Sequence, residues 1–166
     1  MLKKFRDRLI LTIRDPQEGG VRAIEPHIKS GLIQSAIEGG FLVDIEISYL
    51  RNISVDYGNQ ILSRHYLGEP PLYRELEALA VEYEKKCRFL KIALRKSGNS
   101  SKYLISLLNR HRNLVAMETD GEPASRIVYS ILGSRLIYCH ILEKTSPGQI
   151  SCDKAMRILN LLKKLD

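Results

Sequence analysis

The sequence predicts a mainly α protein, a single-domain helical bundle built around an antiparallel helical hairpin at about 72–117, and three patterns lead there. Apolar residues at Leu72, Leu76, Leu79, Tyr83, Cys87, Leu90 and Leu94 recur at alternating steps of three and four, as one helix face requires. Leu104, Leu107, Leu108, His111 and Val115 form a second stripe, starting after Ser100 or Ser101 as N-cap. From Ala124 to about Glu143, Ile127, Val128, Ile131, Leu132, Leu136, Ile137, Ile141 and Leu142 cover much of a third helix, which predicts a buried central element.

The remaining elements follow in chain order. Leu9 to Ile13 is a short apolar run stopped by Arg14-Asp15-Pro16, too brief for a membrane span or a signal-peptide core. Pro26 and Gly39-Gly40 frame a helix bearing Ile28, Leu32, Ala36 and Ile37. Over 41–49, Phe41, Val43, Ile45, Ile47 and Tyr49 alternate with Leu42, Asp44, Glu46 and Ser48, the period of a strand. A helix using Leu42, Ile45, Tyr49 and Ile53 competes with it; if the strand holds, Leu9 to Ile13 is its partner in a small N-terminal β element. The first long helix starts after Pro70-Pro71 and ends at Ser97-Gly98-Asn99, and a last helix runs from about Ser151 to Leu165. With 166 residues and 44% hydrophobic content the chain suits one core, so one domain over 1–166 is expected, with its best internal boundary near 68–71.

Charge gives the functional reading. The net charge of +7 comes from one stretch, 85–117, whose nine bases meet no acid. Removing them from the total of 26 leaves fewer bases than the 19 acids. A hairpin about Asn99 would set Arg88 beside Arg110 and Lys85 beside Arg112, crowding like charges that an anion relieves. The expected phosphate-contacting residues are Lys85, Arg88, Lys91, Arg95, Lys96, Ser101, Lys102, Tyr103, Arg110 and Arg112, with the N-terminus of the second helix adding backbone N–H donors. The predicted function is therefore a non-catalytic nucleic-acid-binding protein, for DNA or RNA, or the basic subunit of a nucleoprotein complex. A helical adaptor docking on an acidic protein surface is the alternative, and a plain solvated face explains the same charges.

Chemistry-bearing motifs are sparse. His27, His65, His111 and His140 show no metal-ligand spacing, and no nucleotide-binding or esterase motif occurs, so neither cofactor nor metal is expected. Arg135 and His140 match the spacing of the Arg and His in all-helical HEPN-type RNases, but Leu136 replaces the polar residue those enzymes carry, so the pair is read as coincidental. His140 is expected at a helix end and His111 as a neutral core or boundary residue. Cys87, Cys139 and Cys152, odd in number and far apart, read as reduced thiols of a cytoplasmic protein with no membrane partner.

Overall fold

Alternation over Leu42–Glu46 resolves as a strand, and four more parallel strands stand with it. The computed structural model describes residue 4, residue 6 and residues 8–164. Strands β1 (Ile10–Thr12), β2 (Leu42–Glu46), β3 (Ile61–Tyr66), β4 (Phe89–Arg95) and β5 (Leu114–Thr119) form one sheet in chain order, each neighbouring pair parallel. Parallel neighbours require crossovers. Helices α1 (Pro26–Glu38), α2 (Tyr73–Tyr83) and α3 (Ser100–Arg110) supply three of these, and a 3-10 turn, Ile47–Asn52, lies in the fourth. Helices α4 (Pro123–Ile131) and α5 (Cys152–Leu162) follow the last strand.

Two different faces result from this order. Val43, Ile45, Leu62, Leu90, Ile92, Leu94, Leu114 and Ala116 pack with Ile33, Leu76, Ala80, Leu104 and Leu107 of the helices, forming the apolar core. Across the other face, register aligns Glu46 with Ser63, Ser63 with Lys91 and Lys91 with Val115. Sequential strands with helices on one face make the pattern of a (β/α) barrel; a doubly wound sheet reverses strand order and is covered on both sides. Among the described residues, the outer edge of β1 pairs with no further strand.

The helical-bundle expectation is therefore wrong, and the hairpin at 72–117 does not exist. The first half of its first helix is α2, but a 3-10 turn at Glu84–Lys86 intervenes and Phe89–Arg95 is β4. Leu90, Ile92, Ala93 and Leu94 are all fully buried. A parallel strand covered on both faces is an apolar run without clear alternation, and Cys87, Leu90 and Leu94 happened to continue the stripe of α2. Likewise α3 stops at Arg110, and Val115 belongs to β5. The third helix stops at Ile131, before Gly133 at φ 106, a conformation that an L side chain strains to adopt.

Three other readings hold. Helix α1 has the expected frame, Ser151 caps α5 by accepting from the Lys154 N–H, and β1 pairs with β2. Leu165 lies outside the described residues. The segment 68–71 is part of the loop between β3 and α2. Cys139 and Cys152, expected to be reduced, form a disulfide with a sequence separation of 13, while Cys87 is free and buried. Their distance in sequence concealed an adjacency that the backbone enforces, since the Cys152 N–H donates to the His140 carbonyl at 2.9 Å. No described helix is long and apolar enough to cross a membrane.

Candidate active site

In (β/α) barrels, reactive groups gather at the C-terminal ends of the strands. Buried charge is concentrated there in this chain: Glu18, Lys29, Asp44, Glu46, Lys91 and Arg126 are each less than 6% exposed. Burying so many charges requires that they answer one another. Asp44, from β2, accepts from the Lys91 ammonium at 2.9 Å through one oxygen and from Arg14 at 2.7 Å through the other. Arg14 also donates to the Ser63 hydroxyl at 2.8 Å. Glu46 contacts Lys29 and accepts from the Asp15 N–H at 2.5 Å.

These contacts set the charge states. Burial would raise the Asp44 carboxyl, but Lys91 and Arg14 hold it down to about 2. Burial lowers Lys91 from the ordinary amine range, and Asp44 only partly opposes that while Arg14 and Arg126 add to it. An amine in this setting gives up its proton more readily and becomes nucleophilic.

His65, at the end of β3, is neutral. Burial, followed by the charges on Lys91 and Arg14, lowers it to about 3. Its Nδ1 stands 3.0 Å from the Glu18 carbonyl oxygen, which only accepts, so the proton is assigned to Nδ1. Nε2 keeps its lone pair and is buried without a partner. Glu18 is itself fixed, accepting from the His65 backbone N–H at 3.0 Å, Arg64 at 2.9 Å and Ser48 at 3.0 Å. The turn that delivers it, Pro16–Glu18, follows β1 directly.

Lys91, His65, Arg14, Glu18, Tyr138 and Gln149 line a cavity of about 500 Å³. Its roof is the loop between His140 and Ser151, whose Thr145, Ser146, Pro147 and Gln149 also face the cavity. Gln149 closes the loop by accepting from the Thr145 N–H at 2.8 Å. At Gly148, a Cβ would stand 2.1 Å from the Gly121 carbonyl oxygen, so only glycine permits this approach. Arg126 of α4 donates through Nε to the Gly148 carbonyl at 3.0 Å, and both its terminal nitrogens are buried without partners. A larger groove of about 900 Å³ between α4 and α5 is bordered by no acid, so the chemistry lies in the smaller cavity.

Of the residues expected to bind phosphate, only Lys91 and Arg95 line this cavity. The others are scattered by the strand between α2 and α3. Arg95 pairs with Asp120 at 3.5 Å, Lys96 with Glu122 at 3.7 Å, and Arg110 with Glu77 at 2.9 Å. Ser101 donates to buried Glu118 at 2.7 Å, and Tyr103 is half-buried with its ring 5.8 Å from that of Tyr73. Lys85, Arg88, Lys102 and Arg112 are exposed. Acids from distant segments thus answer several bases of the acid-free stretch. His111 is buried with Nδ1 2.9 Å from Glu84, and His140 lies in an extended segment bridged to Ser151, not at a helix end. Among the described residues, no group of three or more His, Cys, Asp or Glu is placed to hold a metal ion.

Sequence reasoning passed over Arg14, Glu18, Asp44, Glu46, His65, Arg126, Tyr138 and Gln149. One signal was available: Lys91 is a lone charge inside Phe89-Leu90-Lys91-Ile92-Ala93-Leu94, which is costly unless it is paired.

The sheet and its buried amine define an enzyme site of the (β/α)-barrel class. The family model for type I 3-dehydroquinase matches residues 2–166, and the chain belongs to that family. Among relatives, the 3-dehydroquinate dehydratase of Sulfolobus acidocaldarius is 32% identical over 162 residues, covering 98% of this chain and 74% of that protein. That of Saccharolobus solfataricus is 29% identical over 161 residues, covering 97% and 73%. The solved structure of 3-dehydroquinate dehydratase from Geobacillus kaustophilus superposes with a TM-score of 0.78 at 23% identity, covering 93% of this chain and 67% of that one. A type I enzyme from Clostridium difficile, described with covalently modified comenic acid, gives 0.74 at 22% identity, covering 93% and 68%. Family membership overturns the nucleic-acid-binding protein, the nucleoprotein subunit, the acidic-partner adaptor and the RNase readings together, along with the macromolecular partners they implied.

Proposed function

We propose that the chain catalyses the dehydration of 3-dehydroquinate through an imine on Lys91. The observation that carries this is a buried lysine whose amine is easier to deprotonate, set in one cavity with a neutral histidine. The substrate is a cyclic ketone with a hydroxyl on the carbon β to its carbonyl and a carboxylate. Such a compound loses water once the proton between those carbons is removed.

Lys91 gives up its ammonium proton and attacks the ketone carbon, and that proton leaves with the hydroxyl of the adduct as water, so that an iminium remains. The iminium acidifies the neighbouring C–H bond. His65 takes that proton on Nε2, whose lone pair is free. The resulting enamine expels the β-hydroxyl, which leaves as water with the proton returned by His65. Water then hydrolyses the conjugated imine, releasing the enone and restoring Lys91. Arg126, whose charge acts on Lys91 and whose two terminal nitrogens are buried without partners, suits the carboxylate.

The test is borohydride reduction in the presence of 3-dehydroquinate. A stable adduct on the peptide containing Lys91, with ultraviolet absorbance of the enone in unreduced samples, is expected. Absence of both in folded protein refutes the assignment.

A further inference from the structure

The Lys91 ammonium has a second neighbour besides Asp44. Its Nζ lies 4.2 Å from the centroid of the Tyr138 ring, within the range of a cation–π contact. The ring is not there by accident of a loose loop. Two clasps hold the segment that carries it. On one side Ser134 accepts from the Ala116 N–H at 3.1 Å and the Arg135 N–H donates to the Leu114 carbonyl at 2.9 Å, tying the segment to β5. On the other, Cys139 is bonded to Cys152 and the His140 N–H donates to the Ile150 carbonyl at 3.0 Å. The Tyr138 hydroxyl is buried without a partner, so the structure gives the side chain no hydrogen bond that explains its place.

We propose that Tyr138 is a positioning residue whose ring stabilises the cationic states of Lys91, the ammonium in the free protein and the iminium during turnover. This deepens the proposed function and rests on it for the iminium alone. The charged and titratable groups acting on Lys91 come from every side: Asp44 on β2 favours the cation, and Arg14 after β1 and Arg126 on α4 oppose it. His65 on β3 is neutral, since burial and then the charge on Lys91 oppose its protonation. The ring face adds attraction without adding a charge or a proton acceptor. That serves a site in which a carboxylate alone would fix the amine as ammonium and two arginines alone would leave the iminium unsupported.

The test titrates Lys91 in the free protein, by its labelling rate with acetic anhydride against pH, read by peptide mass spectrometry. Tyr138→Phe keeps a ring and should titrate within a few tenths of a unit of the parent. Tyr138→Leu should titrate about 0.4 to 1.5 units lower. An unchanged midpoint in folded Tyr138→Leu overturns the proposal. Should that variant fail to fold, phenylalanines bearing increasing numbers of fluorines at position 138 keep the shape and weaken the ring's negative face. A stepwise fall in midpoint supports the ring's role, and a flat series overturns it. Borohydride trapping of the parent with 3-dehydroquinate is run alongside: if it fails, the imine chemistry fails, while the titration still decides the role of the ring on the ammonium.

Discussion

Lys91 and Asp44 meet at 2.9 Å with side chains only 6% and 1% exposed, and the same carboxylate also receives Arg14 at 2.7 Å. Asp44 therefore serves two cations, whereas Lys91 depends on one acid. Loss of the acid strands both partners. Asp44→Asn should destabilise the fold by about 3–5 kcal/mol, and Lys91→Met by less, since Asp44 keeps Arg14. Urea unfolding of the two variants at neutral pH checks the order; a larger loss in Lys91→Met would contradict it.

His65→Ala removes the proposed base while leaving the amine. Turnover should fall by about 10²- to 10⁴-fold. Borohydride trapping of substrate on Lys91 should persist, because imine formation does not need the imidazole. Loss of trapping in a folded variant would place His65 in the first step as well.

The same histidine predicts acid sensitivity. In the unfolded chain a histidine gains its proton near pH 6.5, but folded His65 resists protonation until about 3. Between these values the unfolded state binds more protons, so stability is full above pH 6.5 and declines as pH falls towards 3. Asp44 adds a further loss lower down, from about pH 4 towards 2, as its depressed carboxyl is protonated. Thermal unfolding at pH 7 and pH 5 should show a drop that is smaller in His65→Gln. An equal drop would assign the acid sensitivity to other groups.

Arg126 separates binding from folding. Burial depresses its ionisation, and its terminal nitrogens have no partner in the protein. Arg126→Met should leave stability unchanged or raise it, while KM for 3-dehydroquinate rises at least about thirtyfold. A matching loss of stability with unchanged KM would make the residue structural.

The sequence exposed the elements whose signals are local. Pro26 and Gly39 bounded α1, Ser151 capped α5, and the alternation around Val43 and Ile45 marked β2. What it concealed was non-local. Leu90, Ile92, Ala93 and Leu94 are apolar because β4 is covered on both sides, and nothing in a one-dimensional period distinguishes that from the continuation of α2. Lys91 was counted with surface bases because its acid stands 47 positions earlier in the chain. Gln149 joins the cavity through the loop before α5, and Arg126 of α4 holds that loop at Gly148, which no spacing within the sequence announces.

Among the described residues the outer edge of β1 pairs with no further strand, and this bears on how copies of the chain behave together. An edge strand can accept a further strand, and Ile10 on β1 and Ile28 and Leu32 on α1 are 39%, 47% and 48% exposed. A formal charge of +7 keeps copies apart at low ionic strength. At about 0.15 M salt that repulsion reaches only about 8 Å, while attraction between apolar surfaces survives. Light scattering across a salt series should therefore show particle size growing with ionic strength, the opposite trend from a protein held to its partner by charge alone.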